Sequence, residues 1–130
     1  MNYNEVIYGI LSNSPNIVAA VNKRVYPVTI AQNKDYPAVA FTKRIEPVNT
    51  KGARNKIEDV MIILYCVSNN LDQADEIAQM IRTSLDRLDK LSVSGIKVSS
   101  ITFVGQDHEQ YDQELNVYLV PLTYKIRIII

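Results

Sequence analysis

Between Leu71 and Leu88 apolar residues recur at spacings of three and four: Leu71, Ala74, Ala78, Ile81, Leu85 and Leu88, with Ile77 widening the stripe. At roughly 100° per residue they fall within an arc of about 120°, which predicts a helix with one buried face. Asp72, Gln73, Asp75, Glu76, Gln79, Arg82, Asp86 and Arg87 fill the remaining positions. Acids crowd the first turns while Arg82, Arg87 and Lys90 come later, which suits the helix dipole. Asn69 or Asn70 supplies a cap, and a helix over about 71–89 would be roughly 27 Å long, enough to cross a small sheet.

Elsewhere the period shifts. Val6, Ile7, Ile10 and Leu11 mark a short amphipathic helix over residues 4–12, with Gly9 as its weak point. Ser14-Pro15 reads as a cap followed by proline at the first helical position of a second helix, with Ile17, Val18 and Val21 inward. Residues 24–30 are β-rich but interrupted by Pro27, which predicts an edge strand. Residues 37–45 alternate, Val39 and Phe41 sharing a face. From Val60 to Val67 the chain is apolar at every position, a pattern that predicts a strand covered on both sides or central in its sheet. Residues 96–104 alternate again, with Ile96, Val98 and Val104 on one side and Ile101 and Phe103 on the other. The last strand, from Leu115 to Ile130, contains Pro121, a bulge or edge signal. Its end, Ile126-Arg127-Ile128-Ile129-Ile130, needs pairing inside the sheet or across a subunit boundary. The expected fold is α+β over residues 1–130 as one domain. A single, mostly antiparallel sheet of about five strands carries the 71–89 helix on one face, with short helices at the N-terminus.

Composition narrows the chemistry. The chain has 130 residues, 47% of them hydrophobic, and 14 basic residues balance 14 acidic ones. Such a balance gives no global pull toward nucleic acid or an anionic membrane. The single Cys66 precludes an intrachain disulfide and cysteine metal clusters, and its apolar setting reads as a plain buried thiol. The N-terminus lacks the basic and apolar regions of a signal peptide, and no apolar stretch approaches the ~20 residues of a membrane span. A cytosolic or cytosol-assembled protein is the expectation, without membrane contact. There is no phosphate loop and no Gly-x-Ser-x-Gly motif. His108, the only histidine, has Asp107, Glu109 and Asp112 beside it, but without the fixed spacing of a metal site. No catalytic residue, cofactor site or metal site is assigned. Tyr65, Tyr118 and Tyr124 lie in strands, as core or sheet-face residues.

Two polar segments remain. Residues 47–56, PVNTKGARNK, have no periodicity and join two strong strands. Counting Lys43, Arg44, Lys51, Arg54 and Lys56 against Glu46, residues 43–56 carry a net charge of +4. Asp107, Glu109, Asp112 and Glu114, with no Lys or Arg among them, give residues 107–114 a net charge of −4.

Arg24-Val25-Tyr26-Pro27, Ala31-Gln32 and Tyr36-Pro37-Ala38-Val39-Ala40-Phe41 together resemble the N-terminal half of the phage tail completion family, the tail terminators of long-tailed phages. The family's order of elements matches over essentially the full length, with Ile30-Ala31 standing where the family often shows proline before the glutamine. The resemblance implies a structural protein with no substrate or cofactor. Such subunits form a ring, usually hexameric, on the head-proximal end of the tail tube, where it stops polymerisation and presents a surface to the head. The implied partners are other copies of itself, the tail tube protein and a head-closure or neck protein, with DNA only as passing cargo. The implied location is the host cytoplasm during assembly and then the virion tail. Closed rings use heterologous contacts, and opposite charges fix register. Lys51, Arg54 and Lys56 are therefore expected to meet either Asp107, Glu109, Asp112 and Glu114 of a neighbour or the tube subunit. An acidic segment facing the lumen, where it would keep DNA from sticking, is the alternative. Another neck or connector protein, or a non-viral oligomeric binding module, are the competing functional readings.

Overall fold

The structure is a computed structural model that describes residues 3–21, 25–27, 37–48, 57–86, 91–93 and 95–129. Helices α1 (Tyr3–Ser12) and α2 (Pro15–Val21) precede strands β1 (Val25–Pro27), β2 (Ala38–Val48) and β3 (Ile57–Ser68). Helix α3 (Leu71–Asp86) follows, then β4 (Leu91–Val93), β5 (Ile96–Gln106), β6 (Gln110–Asp112) and β7 (Val117–Ile129). The strands form one sheet in the order β1-β2-β3-β7-β5-β4, with β6 also pairing β7. All pairings are antiparallel except β1 with β2. The α+β fold with one mostly antiparallel sheet is as expected. The two unanticipated strands, β4 and β6, are three residues each, too short to leave a periodic trace.

One face of the sheet is roofed by helices. Val60, Ile62, Leu64 and Cys66 of β3 stand level with Val120, Leu122, Tyr124 and Ile126 of β7, and all are buried. Onto them α3 lays Ala74, Ile77, Ala78, Ile81 and Leu85. Asn70 caps that helix, accepting the N–H of Asp72 at 2.9 Å and of Gln73 at 3.3 Å. Residues 87–90, including Leu88, lie outside the described residues. Val6, Ile7, Ile10 and Leu11 of α1 and Ile17 and Val21 of α2 are buried beside α3 in the same core. Gly9 acts here as a packing requirement: a Cβ on it would lie 2.4 Å from Cγ1 of Val93 in β4. Only a residue without a side chain lets α1 approach that strand so closely.

Three expectations about strands are refined. First, β3 is central, flanked by β2 and β7, but its second face is not fully covered: Met61, Ile63 and Tyr65 are half-buried. Second, the alternation in β5 is broken by irregularities between Val98 and Ser100 and between Phe103 and Gly105. The extra residue after Val98 returns Ile101 and Phe103 to the core side, level with Ile126 and Tyr124, and leaves Val104 55% exposed. A one-residue slip exchanges the faces of everything after it. Third, Pro121 lies in a strand paired on both sides, and the irregularity is on its partner. Its carbonyl accepts the N–H of Asp107 at 3.1 Å, between the last β5 pair and the first β6 pair. In an antiparallel ladder a residue's N–H and C=O face the same neighbour. The donor that proline lacks would therefore point at the break between β5 and β6, where no ladder bond is lost. Residues 126–129 of the apolar C-terminal run are paired within the sheet by β3 and β5, and Ile130 lies outside the described residues.

Candidate assembly interface

Strand direction separates the two charged segments. At one end of the sheet Val48 pairs Ile57, which pairs Ile129. The sequence from 49 to 56 joins β2 to β3 there, and Lys51, Arg54 and Lys56 lie outside the described residues. Lys43 and Arg44 are exposed midway along β2. Lys43 Nζ donates to Asn4 Oδ1 of α1 at 2.6 Å, and Arg44 pairs with Glu46. At the other end the chain leaves β5 at Asp107, rejoins the sheet as β6, and turns into β7.

The acidic segment is thus the tip of a long hairpin, built by its own side chains. Asp107 Oδ1 accepts the N–H of His108 at 2.8 Å. Asp112 Oδ1 accepts those of Glu114 and Leu115 at 3.0 and 3.1 Å, closing the turn. Asn116 sits at φ 58, a region asparagine tolerates better than most residues, and its Oδ1 accepts the hydroxyl of Tyr111. Tyr111 and Tyr118 stack at 4.9 Å between ring centroids, the former 47% exposed. Asp107, His108, Glu109 and Glu114 are exposed. Near this tip burial, then Glu109 and Asp72, push the Asp75 carboxyl above its ordinary range. The charges of Glu109 at the hairpin tip and of Asp72 in α3 thus both act on Asp75.

Within one chain the anchors of the two charged segments lie at opposite ends of the sheet. The 13 residues of β7 span about 40 Å at 3.3 Å per residue. A segment of eight residues anchored at Val48 and Ile57 reaches no more than about 13 Å from its anchors.

The second face of the sheet holds an ion pair that the sequence reading did not anticipate. Arg127 Nε donates to Asp59 Oδ1 at 2.9 Å and its Nη2 to Oδ2 at 3.1 Å. The two residues are cross-strand partners, and the guanidinium hydrogen bond, with its charge, holds the Asp59 carboxyl below the usual carboxylate range. The available signal was the acidic pair Glu58-Asp59 at the head of an unbroken apolar run. Cys66 is buried under α3, and burial, then Asp75, pushes its thiol up to about 12, so it is no nucleophile at neutral pH. The Tyr3 hydroxyl is likewise pushed up to about 12 by burial and a hydrogen bond to Glu58, which ties α1 to β3. Tyr124 is core and Tyr65 and Tyr118 are half-buried on the sheet, as expected. No group of metal-ligating side chains occurs among the described residues. Among them no helix is long and apolar enough to cross a membrane.

The family model described as tail completion protein gp17 matches residues 5–129. A chain in the solved structure titled "Virion of native gene transfer agent (GTA) particle" is similar at 15% identity and TM-score 0.71, covering 95% of this chain and 91% of that one. Another solved chain, 11% identical, covers 98% of this chain and 96% of its own at a TM-score of 0.49, too low to carry an argument. No curated protein matches.

Proposed function

The chain belongs to the tail completion protein gp17 family, and from that premise we propose that it ends tail-tube polymerisation by capping the tube's head-proximal end and offering the head a joining surface. The observation that carries this reading is the family match over residues 5–129, nearly the whole chain. The fold shared with a virion chain at TM-score 0.71 agrees with it. Residues 1–130 act as one tail-terminator-like unit, in a ring of about six copies that forms in the host cytoplasm and stays in the tail. The ring binds tube protein on one side and a head-closure or neck protein on the other, lets DNA pass, and turns over no substrate.

Lys51, Arg54 and Lys56, in the sequence that joins β2 to β3, and Asp107, Glu109, Asp112 and Glu114 of the hairpin are the residues proposed for partner contact. The separation of about 40 Å supports intermolecular partners for both. Lys51→Glu, Arg54→Glu and Lys56→Glu together should weaken assembly, more strongly at low salt. Unchanged ring size and tail joining would remove these residues from the interface. The functional test adds the purified chain to polymerising tube protein and reads tube lengths by electron microscopy. Growth should stop at capped ends, whereas tubes that lengthen as without the chain would contradict the assignment.

A further inference from the structure

The helices cover only one side of the sheet. The other face is open from Ile57 to Tyr65 along β3: the side chains of Arg44, Glu46 and Arg127 on it are 76%, 45% and 41% exposed. The register sets Thr42, Ile63 and Thr123 in one row, Arg44, Met61 and Lys125 in the next, then Glu46, Asp59 and Arg127, and last Ile57, Ile129 and Lys97. A strand with water on one side ordinarily alternates apolar with polar. Here Ile57, Met61, Ile63 and Tyr65 of β3 and Ile129 of β7 all stand half-buried on the open side. The open part is about 30 Å long and, at four strands, about 19 Å wide, which is most of the ~800 Å² that each partner brings to a stable interface. Two ion pairs cancel within it, Arg44 with Glu46 and Arg127 with Asp59. Lys97 and Lys125 remain, so the face combines apolar side chains with a net charge of +2.

The opposite side of the subunit carries the reverse charge. Asp72, Glu76, Gln79 and Thr83 are exposed along α3, at the spacings of four and three that share one helix face. With Asp75 they give residues 69–81 a net charge of −3 and no Lys or Arg. Glu109 of the hairpin stands near enough to act on Asp75.

We infer that copies of this chain stack front to back, the acidic outer face of α3 in one copy covering the open sheet face of the next. It rests on the ring reading above. The two patches lie on opposite sides of one subunit, so the contact is heterologous and repeats from copy to copy until a ring closes. A sheet face meeting its own twin would close a two-fold dimer and set like charge against like, as would two α3 faces. Charge therefore selects the mixed contact. The neighbour's helix supplies the second covering layer that β3, apolar on both faces, lacks within its own subunit.

Zero-length crosslinking tests the junction in the unaltered protein. A carbodiimide joins a lysine amine to a carboxylate only where the two touch. Rings assembled from equal parts of unlabelled and isotope-labelled chain should give a ladder of covalent oligomers. Their mixed-isotope peptides should link Lys97 or Lys125 to Asp72, Glu76 or Glu109. Lys97→Arg with Lys125→Arg keeps the charge and removes the amines, so those links should vanish while ring size is unchanged. Lys97→Glu with Lys125→Glu should raise the concentration needed for assembly at least about tenfold. Rings that survive this charge reversal, or whose covalent links do not join these residues, overturn the junction and leave the ring standing. A chain that stays monomeric even with tube ends present overturns the ring reading and the junction together.

Discussion

The two faces of the central sheet show how one strand serves two purposes. Leu64 and Ile63 are neighbours in β3. Leu64 points beneath the helices and is fully buried, while Ile63 points the other way and is half-buried. The helix-covered face is apolar and closed. The other mixes Met61, Ile63 and Tyr65 with Lys125 and the Asp59–Arg127 pair. One face therefore makes the fold, and the other stays partly open.

Substitutions that differ only in the face they touch sharpen this contrast. Leu64→Ala removes a fully enclosed side chain and should cost about 2–5 kcal/mol, read as a lower urea midpoint at unchanged slope. Gly9→Ala tests how tightly the helical layer closes on β4: with Val93 only 2.4 Å from the added methyl, overpacking should cost about 1–3 kcal/mol. Ile63→Ala on the open face should cost about 1 kcal/mol in the isolated subunit. A loss equal to that of Leu64→Ala would abolish the distinction between the faces.

Smaller effects follow for the polar groups. The Asp59 carboxyl is held low in the folded protein by Arg127, so its contribution is present above the ordinary carboxylate pKa of about 4. That contribution is lost as pH falls through the folded-state value. Asp59→Asn should flatten the dependence of stability on pH in the acid range, and an unaltered acid profile would show that the pair contributes nothing. Smallest is Tyr124→Phe. The Tyr124 hydroxyl is buried without a hydrogen-bond partner among the described residues, so deleting it should leave the melting temperature unchanged or slightly higher.

Where a periodic face repeats over several turns or strand residues, the sequence was informative. The α3 stripe, the alternation of β2 and the apolar run of β3 each foretold an element, because burial of one face imposes a period. What escaped was set by register. The irregularity after Val98 reassigned Ile101 and Phe103, and the break between β5 and β6 gave Pro121 a place in a central strand. The Asp59–Arg127 contact joins residues 68 positions apart, which no local pattern encodes. The charged segments were visible as composition, but the place of residues 107–114 at the end of the sheet opposite Val48 and Ile57 came only from the strand pairing.

Tube length bears most directly on the central claim. Polymerising tube protein with and without the purified chain, and imaging the ends, should show growth arrested and a single ring on each capped end. Tubes of unchanged length with bare ends would contradict it.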